Sequence, residues 1–89
     1  MLLNMGSGNM RIDGFTNVDI NPKFADILCD LRVAPYPFED NSIDKIVAAH
    51  IVEHLYADEH LLFMDECWRI LKPGANLEVI FPLLSFYWS

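Results

Sequence analysis

Gly6-Ser7-Gly8 follows the apolar stretch Leu2–Met5 within the first ten residues. Glycines at alternate positions let a backbone turn tightly, and let a ligand approach where a Cβ would collide. Alone, such a pair is also an ordinary turn, and a lone G-x-G identifies nothing. Two carboxylates extend the pattern. Asp19 stands near the end of the run Phe15–Ile20, and Asp30 near the end of Ala25–Leu31. A carboxylate at a strand end accepts two hydrogen bonds from a vicinal diol, which is how α/β folds hold a ribose. Leu31, beside Asp30, is an apolar residue able to cover a base. Each feature has a plain reading as a turn or a solvated aspartate. Their order and spacing together point to a nucleoside ligand.

Such groups meet only if a parallel sheet sets its carboxyl ends side by side. Short apolar runs separated by turn residues supply the strands: Leu2–Met5, Phe15–Ile20 (stopped by Asn21-Pro22), Ala25–Leu31, Asp44–His50 and Asn76–Phe81. The last two are nearly continuous apolar runs, which predicts burial on both faces and parallel pairing. Between them the spacing predicts one helix from about Ala57 to Leu71, its apolar stripe at Leu61, Met64, Trp68 and Leu71 with Leu62 beside it. Asp58 and Glu59 suit its start, and Lys72-Pro73-Gly74 its stop. Strand, helix, strand in that order is a right-handed βαβ unit. Only about ten residues separate the first two strands, too few for a crossover helix.

Five ordered blocks carry a resemblance. Leu3-Asn4-Met5-Gly6-Ser7-Gly8-Asn9, Asn17-Val18-Asp19-Ile20, Cys29-Asp30-Leu31, PFEDNSIDKIVAAHIVEHL and RILKPGANLEVIFP together resemble class I S-adenosylmethionine-dependent methyltransferases, in the branch with a short first crossover. The resemblance runs from Leu2 to Pro82. It implies a Rossmann-like α/β fold with a mainly parallel sheet of about five strands in the order 3-2-1-4-5. It also implies S-adenosyl-L-methionine as cofactor and methyl transfer to an acceptor the sequence does not name. By position, Gly6, Ser7 and Gly8 would approach the methionine part, with Asn4 where the family often has an acid. Asp19 would hold the ribose, Ile20 would pack on the adenine, and Asp30 with Leu31 would contact the base. Met10 stands where the family often has a third glycine. Residues 1–89 are expected to form a single cofactor-binding domain lacking the usual last strands, where much of the acceptor site lies. A truncated form that only binds cofactor, or a non-catalytic assembly module, is the reading from another class.

His50-Ile51-Val52-Glu53-His54 offers a competing chemistry, because H-x-x-E-H is the string of inverzincin metallopeptidases. On a helix His50 and His54 would lie one turn apart and could share zinc, with Glu53 as general base and Glu59, Glu66 or Glu78 as third ligand. A similar His-Glu-His string commonly follows the fourth strand of the methyltransferase branch, so no metal is expected. His50, at the end of that strand, is the candidate general base. His60 is expected to be a surface residue.

Bulk properties narrow the partners. The 89 residues suit one small domain, and a composition 53% hydrophobic and 21% charged is that of a globular chain. The net charge of −7 leaves six scattered cations and no basic patch for a phosphate backbone. No apolar run approaches the roughly 18 residues of a membrane span. Cys29 and Cys67 form no C-x-x-C pair, which suits a reducing, cytoplasmic setting. One helix cannot cover both faces of five strands, and the fifth strand is expected to be an open edge because the strands that usually follow it are expected to be lacking. With the tail Leu83–Trp88, whose aromatics are expected to pack, it would support a symmetric dimer.

Overall fold

The computed structural model describes residues 1–6, 8, 10–49, 57–80 and 85–88. Strands β1 (Leu2–Met5), β2 (Thr16–Asp19), β3 (Ile27–Leu28) and β4 (Ile43–Ala49) precede helix α1 (Ala57–Ile70), which is followed by β5 (Leu71–Ile80) and β6 (Ser85–Trp88). They form a six-stranded sheet in the order β3-β2-β1-β4-β5-β6. The first five strands are parallel and in the expected order. The fold is Rossmann-like α/β.

Strand alternation directs one set of side chains onto the core: Leu3 and Met5 from β1, Val18 from β2, Ile46 and Ala48 from β4, Leu77 and Val79 from β5. Phe63, Cys67 and Ile70 of α1 and Leu31 and Tyr36 of the β3–β4 connection close over them. The opposite face differs from the expectation of two apolar faces. Val47 is buried there, yet Lys45, Glu78 and Tyr87 stand on neighbouring strands and reach water. Glu78 Oε2 accepts from the Tyr87 hydroxyl at 2.9 Å, Lys45 Nζ lies 3.5 Å from Glu78 Oε1, and that ammonium sits 5.9 Å from the Tyr87 ring centroid. Charged residues beside the buried Val47 make this face amphipathic.

The helix turns a different face inward from the one its periodicity suggested. Leu61 and Trp68 are 69% and 55% exposed, while Phe63, Cys67 and Ile70 are fully buried and Leu62 and Met64 pack at the margin. Positions 63, 67 and 70 also satisfy the helical period, and the buried Glu66 among them disguises that face. The helix stops at Ile70, and residues 72–75 bulge out between the register pairs Ile43↔Leu71 and Lys45↔Asn76. Gly74 takes φ 83° in that bulge, and Lys72 Nζ donates to Asp44 Oδ1 at 2.8 Å across it.

Two further differences concern the sheet ends. β3 is two residues long rather than the Ala25–Leu31 expected. β5 is not an open edge, because β6 pairs antiparallel with it through Leu77↔Trp88, Glu78↔Tyr87, Val79↔Phe86 and Ile80↔Ser85. Ser85–Trp88 pair with their own sheet, and this removes the premise of a dimer through the fifth-strand edge.

Candidate functional site

The carboxyl ends of β1, β2 and β3 lie together, as parallel pairing in the order β3-β2-β1 requires. Gly6 continues the β1–β2 ladder one step past the strand, its N–H donating to Val18 O at 2.7 Å. Gly6 and Gly8 then take φ of 62° and 56°, left-handed values that side chains other than glycine resist. The position a Cβ would occupy on Gly8 meets no atom within 4 Å. The left-handed backbone at Gly8 is therefore not forced by crowding, and no described residue fills the space where its Cβ would stand.

Asp19 faces this turn. Its Oδ2 accepts from Gly8 N at 3.0 Å and its Oδ1 from Asn21 N at 2.9 Å. A carboxylate offers about four lone-pair sites, so each oxygen retains acceptor capacity for a diol. Asn4 lies beneath the turn, 1% exposed, its Nδ2 donating to Met10 O at 2.9 Å and to Asn17 Oδ1 at 3.3 Å. Those two acceptors orient the amide and leave Asn4 Oδ1 buried without a hydrogen-bond partner among the described residues. A spare buried acceptor costs free energy until a donor meets it.

The base-side residues divide. Ile20 is 57% exposed. Leu31 is only 6% exposed and lies in the core, so it is not available to cover a base as expected. Leu28 is the apolar side chain on the open side, 59% exposed and in register with Asp19, hence on the same face of the sheet. Asp30 is half-buried, and Arg32 forks onto it: Nε donates to Oδ1 at 3.0 Å and Nη2 to Oδ2 at 3.1 Å, with Arg32 N also donating to Oδ1 at 3.0 Å. Those bonds hold the Asp30 carboxyl below the usual carboxylate range.

Asp26 was not singled out by spacing, yet it braces the site. Its Oδ2 accepts from Asn17 N at 2.8 Å, while Asp26 N donates to Asn17 O at 2.9 Å. Arg11 Nη2 lies 3.0 Å from both carboxylate oxygens, tying the segment after the glycine turn to the β2–β3 connection. The Asn17 amide, then Arg11, holds Asp26 below its ordinary value. Nothing in the sequence distinguishes Asp26 from a solvated aspartate, because its partners are set by strand register.

Ser7 of the glycine turn and the string His50–His54, including the candidate base His50, lie outside the described residues. Of the carboxylates weighed as zinc ligands, Glu66 is engaged by Arg69 and by Tyr36 N, and Glu78 by Tyr87 and Lys45 on the amphipathic face.

Residues 6–79 match the model of a family described as a methyltransferase domain. The chain belongs to that family. This methyltransferase domain is 35% identical over 51 residues to a probable S-adenosylmethionine-dependent methyltransferase of Mycolicibacterium smegmatis, a match covering 57% of the chain and 19% of that protein. It superposes on a Pyrococcus horikoshii protein with a TM-score of 0.72 at 20% identity, over 88% of the chain and 47% of the other. An Aquifex aeolicus S-adenosylmethionine-dependent methyltransferase gives 0.64 at 21% identity, over 88% and 54%. A Haloferax volcanii methyltransferase solved with the Trm112 methyltransferase activator gives 0.67 at 22%, over 88% and 43%. These likenesses show the fold. The chain spans about half the length of the solved structures and about a fifth of the curated relative.

Proposed function

We propose that residues 1–89 form a single S-adenosyl-L-methionine-binding methyltransferase domain, and that the reaction served is methyl transfer to a nucleophilic acceptor. The observation that carries this is the Gly6–Gly8 turn hydrogen-bonded to Asp19 at the carboxyl ends of adjacent parallel strands. The residues fit the cofactor. The open space at Gly8 accepts a close approach, and Asn4 Oδ1 is a spare acceptor beneath the turn for a charged amino group. Asp19 keeps lone pairs for a ribose diol, and Ile20 and Leu28 present apolar surface beside it. Asp30 supplies an acceptor for an exocyclic amino group.

Bound S-adenosylmethionine supplies a methyl group already activated on a sulfonium. The chain's own residues then need only bind, orient and exclude water, so no covalent nucleophile is assigned. His50 is retained as the candidate base from its place in the sequence. The buried free thiols of Cys29 and Cys67 support a reducing, cytoplasmic setting. Burial first, and then the negative charges of Asp30 and Glu66, push the Cys29 thiol up to about 11, so it is no nucleophile at neutral pH. For self-association we favour the outer edge of β6, which is terminal in the sheet among the described residues. Calorimetric titration with S-adenosylmethionine tests the binding reading.

A further inference from the structure

We propose that Tyr36, held against α1 by Glu66 and Arg69, is a positioning residue that sets where Asp30 meets the cofactor's base; this rests on the cofactor reading above. Asp30 needs such help. β3 ends at Leu28, and the main-chain bonds that follow are Cys29 N to Asp19 O at 3.0 Å and Val33 N to Asp30 O at 3.1 Å. A two-residue strand anchors the next residues weakly, and the Arg32 fork is a local, exposed pair.

Tyr36 supplies a long-range anchor. It is 2% exposed, and its hydroxyl donates to the main-chain carbonyl of Leu31, the residue after Asp30, at 2.7 Å. Its own backbone is fixed in turn. Tyr36 N donates to Glu66 Oε1 at 2.7 Å, and Arg69 Nη2 donates to Tyr36 O at 3.2 Å. Arg69 spends its remaining donors on Glu66 Oε2 at 2.8 Å, Glu66 Oε1 at 2.9 Å, Phe38 O at 2.9 Å and Asp40 Oδ1 at 2.8 Å. The same loop closes the helix end, with Asn41 N donating to Arg69 O at 3.0 Å and Ser42 N to Ile70 O at 2.8 Å. A continuous hydrogen-bonded path thus leads from the last turn of α1 through Tyr36 to the carbonyl beside Asp30. Phenylalanine would fill the core equally well. The buried hydroxyl is spent on that one carbonyl.

The chemistry that reads this placement is the choice between an amino and an oxo group on the purine. A fixed carboxylate accepts from the exocyclic amino group of adenine and repels the oxygen that replaces it in hypoxanthine. The test titrates the 89-residue chain calorimetrically with S-adenosylhomocysteine and S-inosylhomocysteine. The unsubstituted chain should prefer the adenine compound by on the order of tenfold or more, because a site built for a donor rejects an analogue that lacks it. Tyr36→Phe should still bind both, through the glycine turn and Asp19, with the preference falling toward parity. Glu66→Gln keeps an acceptor for Tyr36 N but weakens the Arg69 pair, so it should lie between, and it decides alone if Tyr36→Phe melts below the working temperature. Folded variants that keep the full preference overturn the positioning role and leave cofactor binding standing. Equal binding of both compounds by the unsubstituted chain also overturns it, since Asp30 then does not read the base. No binding of either overturns the cofactor reading and this inference with it.

Discussion

Gly8 N donates to Asp19 Oδ2 at 3.0 Å, so the acid that closes β2 also shapes the turn that closes β1. The carboxylate therefore has two tasks: ordering the glycine turn and, in the proposed complex, holding the ribose. Asp19→Ala removes both and should weaken S-adenosylmethionine binding by about 1–3 kcal/mol. Asp19→Asn keeps one acceptor oxygen and should fall between. Equal affinity for the unsubstituted chain and Asp19→Ala would show the ribose assignment to be wrong.

Gly8→Ala separates backbone strain from ligand space. At φ 56° a Cβ costs about 1–2 kcal/mol, although none of the described residues obstructs it. The variant should stay folded with a modest drop in melting temperature, and should lose cofactor affinity beyond that strain. A variant with undiminished affinity would place the cofactor away from this turn.

Acid should loosen the α1 clamp. Arg69 first, and then the Tyr36 amide, holds Glu66 below its ordinary value of 4.5, and Asp30 and Asp26 are depressed by their own partners. A carboxyl depressed in the folded state adds stability that is complete above its unfolded value and is lost as pH falls through the folded one. Melting temperature should thus hold from neutral pH down to about 5 and decline below it. Glu66→Gln should start lower at neutral pH and decline less steeply. A parallel decline in both would mean that the clamp carries no pH-linked stability.

Self-association is expected through β6. Among the described residues no strand pairs with its outer edge, and unpaired edges recruit partners. Light scattering over a dilution series should show a dimer at high concentration. Tyr87→Lys, which keeps a partner for Glu78 while charging the edge strand, should shift the equilibrium toward monomer. A monomer at every concentration would refute the β6 contact.

The strands, the glycine turn and the acid at the end of β2 were legible because they depend on local signals: short apolar runs, turn residues, and an acid at a strand end; the strand order came only with the family resemblance. Three features were not. The buried helix face was hidden because Glu66 interrupts an otherwise apolar Phe63–Cys67–Ile70 set, and its burial is understandable only with Arg69 and Tyr36 in place. Leu31 lies in the core cluster with Tyr36, whose hydroxyl donates to its carbonyl, an arrangement set by tertiary packing. β6 was not legible as a paired strand because no N-G or D-G turn signature precedes it in the sequence.

Calorimetric titration of the 89-residue chain with S-adenosylmethionine, repeated with S-adenosylhomocysteine, tests the central claim most directly. Saturable binding of both at one site per chain, weakened in Asp19→Ala, is the expected result. Absence of heat and of saturation for both ligands with a folded chain would contradict it.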